Sequence, residues 1–187
     1  MDDARSLGVG GASTVRDDDE RMAAAAAQDP QAFLEIYERY RTAVFRYLRS
    51  RTTSDDDAGE LSAITFERAL TGIHRFRPSG GGLAAWLLRI ARNAHIDATR
   101  RRSGSSRAPE TAGHRAPAPD SPGVEDQIIL RSLVDALPDT QRDAIRLRFA
   151  AVMTAREIGR VLGISEEAAQ KQLERGMRAL KEAFRVD

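Results

Sequence analysis

The stretch TAREIGRVLGISEEAAQKQLERGMRAL, running from Thr154 to Leu180, decides how the chain is read. Thr154-Ala155-Arg156-Glu157 has the form of a capping box, in which the threonine oxygen and the glutamate side chain each satisfy a backbone donor left free at a helix start. Ile158, Val161 and Leu162 give the short helix that follows one apolar stripe, and Gly163 supplies the left-handed residue that ends it. Ser165 then caps a second helix with Glu166 and Glu167 in its first turn, where the helix dipole favours acids. The spacing predicts a tight helix-turn-helix. Along the second helix Ala169, Leu173, Gly176, Leu180 and Phe184 line one side. Gln170, Lys171, Glu174, Arg175 and Arg178 project from the other. That row can donate to base edges and phosphates, and its glutamate can accept from cytosine, so it suits a major groove. A helical hairpin with a solvated charged face would share the outward row, but the two caps and the glycine turn occurring together favour DNA.

Working upstream, Ile128, Ile129, Leu133, Leu137, Ile145, Leu147 and Phe149 predict a helix pair interrupted at Pro138, which suits the first turn of a helix. Between Ser103 and Gly123 the composition turns to Ser, Gly, Ala and Pro, as in a flexible linker that does not pack. Before it, Phe33, Ile36, Tyr37, Tyr40, Val44, Phe45 and Leu48 recur at helical spacing. The polar stretch from Thr52 to Asp57 offers several N-caps for a second helix, marked by Leu61, Ile64, Thr65, Ala69 and Ile73, which Phe76 to Gly82 interrupt. A third helix runs from about Ala84 to Arg101, with Leu83, Leu87, Ile90 and Ala94 on one stripe and Arg89, Arg92, Asn93 and Arg100 on another face. Residues 31–102 hold 13 basic against 8 acidic residues, so the positive charge of a chain that is nearly neutral overall concentrates there.

No strand signal occurs, so the expected fold is all-α: two small helical domains joined by a flexible linker, the C-terminal one a helix-turn-helix. The expected division is a disordered acidic tail over 1–28, a first domain over 29–102, a linker over 103–123 and a second domain over 124–187. The chain has no cysteine, and its three histidines, His74, His95 and His114, lack metal-ligand spacing, so neither a metal nor another cofactor is expected. The acidic N-terminus is unlike a signal peptide and no run is long enough to span a bilayer, so a cytoplasmic protein without membrane insertion is expected. No paired carboxylates, nucleophile constellation or phosphate-binding loop share a site, which argues against an enzyme and leaves no catalytic residue to name.

Both halves together resemble the extracytoplasmic-function (ECF) group of bacterial RNA polymerase sigma factors, which keep only the regions called two and four. The resemblance rests on Phe33-Leu34-Glu35-Ile36-Tyr37-Glu38-Arg39-Tyr40, Thr65-Phe66-Glu67-Arg68-Ala69, Phe76-Arg77, Ala85-Trp86-Leu87-Leu88-Arg89-Ile90-Ala91-Arg92-Asn93, Ile96-Asp97 and Arg100-Arg101-Arg102. In the second half it rests on Leu137-Pro138-Asp139-Thr140-Gln141-Arg142, Glu157-Ile158, Leu162-Gly163-Ile164-Ser165 and Leu173-Glu174-Arg175. It implies a transcription initiation factor with core RNA polymerase and promoter DNA as partners, and allows an anti-sigma factor as a third. It assigns recognition of the minus-thirty-five element to Gln170, Lys171, Glu174, Arg175 and Arg178. Opening of the minus-ten element falls to Phe76, Arg77, Arg89, Arg92, Asn93, Asp97 and Arg100, with the loop from His74 to Gly82 and the face carrying Asn93 and Asp97 holding an extruded base. Polymerase contact falls to Asp57, Glu60, Leu61, Ser62 and Phe66.

Two stretches depart from the family pattern. The polymerase-contact helix of these factors commonly reads Asp-Leu-Thr-Gln-Glu-Thr-Phe, whereas this chain has Glu60-Leu61-Ser62-Ala63-Ile64-Thr65-Phe66, with Ala63 and Ile64 in place of two polar contacts. The recognition helix carries Gln170, Gln172 and Glu174 where basic or aromatic residues are common. The alternatives are therefore a sigma-like mimic that sequesters an anti-sigma factor and a stand-alone helix-turn-helix regulator.

Overall fold

In the computed structural model the described residues are 10–78, 81–104 and 124–185, and among them every regular element is helical. The expected linker lies outside the described residues from 105 to 123, as do Ser79 and Gly80 of the loop before the third helix. No helix among the described residues is long and apolar enough to cross a membrane.

The first domain is built on α2 (Phe33–Arg49), α3 (Asp55–Gly72) and α4 (Gly82–Gly104), which pack pairwise around Ile36, Val44, Leu48, Leu61, Leu83 and Leu87. Ser54 caps α3 by accepting from the Asp57 amide at 3.1 Å, and three aspartates occupy the first turn, where the dipole stabilises them. α4 runs two residues past the expected domain boundary at 102.

The tail expected over 1–28 is corrected from Gly10 onward, because residues Gly10–Gln28 form a helix, α1, laid against α2 and α4. Asp19, Met22, Ala23 and Ala26 are buried at spacings of three and four, one stripe of a helix. Small alanines let α1 lie close to its neighbours, and that is why so little bulky apolar sequence suffices. Arg21 pairs with Glu35 on α2 at 3.3 Å.

The second domain comprises α5 (Val124–Asp135), α6 (Asp139–Ala150), α7 (Ala155–Leu162) and α8 (Glu166–Ala183). Pro138 occupies the cap position before α6 rather than its first turn. The capping box is present in full: Thr154 accepts from the Glu157 amide, and the Thr154 amide donates to Glu157 Oε2 at 2.7 Å. Gly163 has φ 72° and ψ 32°, and Ser165 accepts from the Ala168 amide at 3.1 Å. Ala169, Leu173, Gly176 and Leu180 face the core. Phe184, expected on the same stripe, is exposed at the edge of an apolar groove of about 500 Å³ between α5, α6 and α8.

The two domains also touch, α4 lying against α7 and α2 against α6.

Candidate nucleic-acid interface

Gln170, Lys171, Glu174, Arg175 and Arg178 are all exposed on α8. Gln170 Nε2 donates to Glu174 Oε1 at 3.1 Å, so the two pre-order each other one helical turn apart. Arg156 on α7 pairs with Glu166 at the start of α8, 3.1 Å away, and ties the two helices of the motif together at their exposed edge. The arrangement presents one rigid row of donors and one acceptor to solvent.

On α4, Arg89, Asn93 and Arg100 are exposed, and Arg77 is exposed on the preceding loop, where its guanidinium is held by the carbonyls of His74 and Phe76 at 3.1 and 2.9 Å. Phe76 differs from the expectation. It is only 7% exposed, and its ring meets Trp86 edge-on at 5.5 Å. The apolar contact with Trp86 outweighs solvent exposure, so Phe76 belongs to the core under the loop and not to a stacking surface. Asp97 is half-buried and accepts from Arg68 at 3.0 Å.

The five residues expected at a polymerase contact separate in the same way. Glu60 is exposed, and Asp57 is half-buried and paired with Arg102 at 2.9 Å. The Ser62 hydroxyl is turned back to the Ala58 carbonyl, 2.7 Å away. Leu61 and Phe66 are core residues, the Phe66 ring packing edge-on against Phe33 and Tyr37. Of the two departures, Ala63 is exposed and Ile64 packs against the core.

Part of the basic face is engaged by the second domain. Asp143, on α6, has a side chain only 5% exposed and accepts from Arg51 and, at 2.8 Å, from Arg92. Arg89 donates to the Arg160 carbonyl of α7, and Arg131 to the Thr52 carbonyl. The Arg51 side chain is 8% exposed, donates to the Tyr47 hydroxyl at 3.0 Å and lies over the Tyr47 ring. Burial pushes the Asp143 carboxyl up, but the two guanidiniums outweigh burial and hold it below the usual carboxylate range. None of Arg51, Asp143 or Asp19 was among the expected site residues. A carboxylate on the buried face of α6, one turn before Leu147, was the signal, because such a charge requires a cationic partner.

His95 lines the cleft of about 460 Å³ between the domains, beside Arg51, Arg92, Arg100, Arg142 and Asp143. Burial pushes its imidazole down from 6.5 to about 4, and the Arg51 and Arg146 guanidiniums push the same way. The neutral ring is thus the form the closed arrangement holds. Its contribution to stability is complete above the ordinary value of 6.5 and is lost as pH falls toward about 4. Lowering pH from 7 to 5 is expected to lower the melting temperature, and His95→Gln is expected to flatten that dependence. An identical slope in the variant would remove His95 as its source.

The sequence matches the family model for sigma-70 region 2 over residues 36–104 and that for sigma-70 region 4 over 133–182. It is 30% identical over 162 residues to the ECF RNA polymerase sigma factor SigM of Bacillus subtilis, spanning 80% of this chain and 93% of that protein. It is 31% identical over 169 residues to the ECF sigma factor BldN of Streptomyces coelicolor, a match covering 86% of this chain but 63% of BldN's length. Among solved structures, CnrH in complex with the cytosolic domain of CnrY superposes with a TM-score of 0.70 at 25% identity, over 90% of this chain and 98% of that one. RpoE of Bartonella quintana, solved with the anti-sigma factor NepR, shares the fold with a TM-score of 0.65 at 22% identity, over 83% of this chain and 98% of that one.

Proposed function

The chain belongs to the ECF RNA polymerase sigma factors, with regions 2 and 4, and from that membership we propose that it binds core RNA polymerase and directs it to specific promoters. The observation that carries the reading is the capped helix-turn-helix, whose second helix presents Gln170, Lys171, Glu174, Arg175 and Arg178 on the same chain as a basic region-2 domain. α8 reads the minus-thirty-five element from the major groove. The exposed residues Arg77, Arg89, Asn93 and Arg100, with Arg92, line the strand separated at the minus-ten element. Unstacking costs a few kcal/mol per extruded base, and cationic contacts to the strand offset it. The factor does no bond chemistry itself and acts in the cytoplasm, where polymerase and promoter are. An anti-sigma factor is a further partner, a reading supported by the solved complex of the similarly folded sigma factor RpoE with the anti-sigma factor NepR.

In the closed arrangement Arg89 and Arg92 are spent on region 4. Region 2 therefore gains its full set of phosphate contacts when α6 and α7 leave α4, and core polymerase, which must hold the two regions at separate promoter elements, is the agent that draws them apart.

In-vitro transcription with purified core enzyme tests the function. A holoenzyme that starts transcripts at a promoter supports it. Failure to form any complex with core overturns it, and a complex that opens no promoter indicates a mimic. The departure at Ala63 and Ile64 weighs less than it does on sequence alone, since Ile64 packs inward and only one exposed polar contact is missing. For the recognition helix, Arg175→Ala is expected to leave folding unchanged and to weaken use of the minus-thirty-five element by about 5- to 100-fold, the worth of one good base contact. Equal transcription from matched and mismatched elements by the parent protein would remove α8 as the reader.

A further inference from the structure

Helix α4 begins at the last of three glycines, Gly80, Gly81 and Gly82, so no adjacent side chain caps it. Its first turn is capped from 64 residues away. Asp19 Oδ2, on α1, accepts from the Leu83 amide at 2.9 Å, and the other carboxylate oxygen accepts from the Tyr40 hydroxyl at 2.6 Å. Asp19 is 3% exposed, a buried charge with both oxygens held. Burial and the adjacent carboxylate raise the Tyr40 hydroxyl above its ordinary value, keeping it a donor. Gly82 has φ +59°, and a Cβ there would lie 2.2 Å from Asp19 Oδ2. Glycine at 82 is thus what admits the carboxylate. α1 also packs on the turn Ile73–Arg75, so it braces the segment between α3 and α4 at both of its ends.

We infer that Asp19 is a positioning residue for minus-ten recognition: from α1 it fixes the N-terminus of α4 and with it the placing of Arg89, Arg92 and Asn93 on the turns that follow. The inference rests on the proposed promoter reading, which assigns those residues to the strand separated at the minus-ten element. A carboxylate at a helix start satisfies free amides and stabilises the dipole end, and here it does so at the start of the helix that carries the basic face. The N-terminal helix, which precedes the region 2 match, accordingly works together with region 2.

Two measurements on the full-length chain test this. Hydrogen exchange on the free protein is expected to speed up at Leu83 to Ala85 for Asp19→Ala, and unchanged exchange would overturn the inference whatever transcription shows. With core polymerase, Asp19→Ala is expected to assemble and to use the minus-thirty-five element as the parent does. Its discrimination between a matched minus-ten element and one with a single substituted base should fall about tenfold, within the range for one base pair. Asp19→Asn, which keeps an acceptor, should recover most of it. A lowered melting temperature with undiminished discrimination would make Asp19 merely structural and overturn the inference. Should Asp19→Ala fail to fold, Tyr40→Phe, which removes the bond that orients the carboxylate and so weakens the cap, carries the same comparison, and full discrimination in it overturns the inference. If the parent chain opens no promoter at all, the transcription reading fails instead, and the exchange result still stands apart from it.

Discussion

Asp143→Ala is expected to open the chain. The aspartate is the one acidic group between Arg51 and Arg92 among the described ion pairs, and the Arg51 guanidinium is 8% exposed in the closed arrangement. Arg51 Nε is already buried without a hydrogen-bond partner, and the Tyr47 hydroxyl and ring that Arg51 also meets carry no formal negative charge to replace the carboxylate. Removing one partner of a buried pair costs about 3–5 kcal/mol when the remaining charge stays buried. This chain has a less costly response, which is to part α6 from α2 and α4 and return both arginines to water. A shift of about 3 kcal/mol changes the ratio of closed to open chain by roughly a hundredfold. Small-angle scattering is therefore expected to show a larger radius of gyration for the variant, with each domain still helical. Because opening releases Arg92 and Arg89, the apparent affinity for core polymerase should rise, as it does whenever a binding-competent state becomes more populated. A variant with the parent's dimensions and affinity would mean that the ion cluster does not hold the domains together.

Trp86→Ala is expected to destabilise region 2 chiefly and to leave the fold of region 4 intact. Trp86 is half-buried, packs against the core, meets Phe76 edge-on at 5.5 Å and lies over Gly72, whose Cβ would sit 3.8 Å from its ring. Truncating a buried aromatic costs about 3–5 kcal/mol, and the partial exposure of this one places it at the lower end. For a chain of this size that is a fall of about 10 °C in melting temperature. Promoter opening should fall with stability. If the variant melts with the parent yet opens no promoter, the indole acts on DNA and not on the core.

The helix-turn-helix was legible because each of its signals is local. Thr154 finds Glu157 three residues on, Gly163 takes the left-handed conformation in its own turn, and Ser165 caps the amide of Ala168. The stripes of α2 to α4 were legible for the same reason. Phe76 was not, since the burial of an aromatic at a loop start depends on whether a partner such as Trp86, ten residues away, closes over it. α1 escaped because its stripe of Asp19, Met22, Ala23 and Ala26 contains one large apolar side chain, and its stability comes from the surface it meets.

By itself the sequence determined the all-α class, the boundaries of the capped helices and the exposed row of α8, all set by hydrogen bonds and periodicities within a few residues. Tertiary structure alone decided that Asp19 caps α4 across 64 residues and that Asp143 meets Arg51 across 92. Those pairings join groups far apart in the chain. They form only when packing brings buried charges to a place where water no longer competes for them.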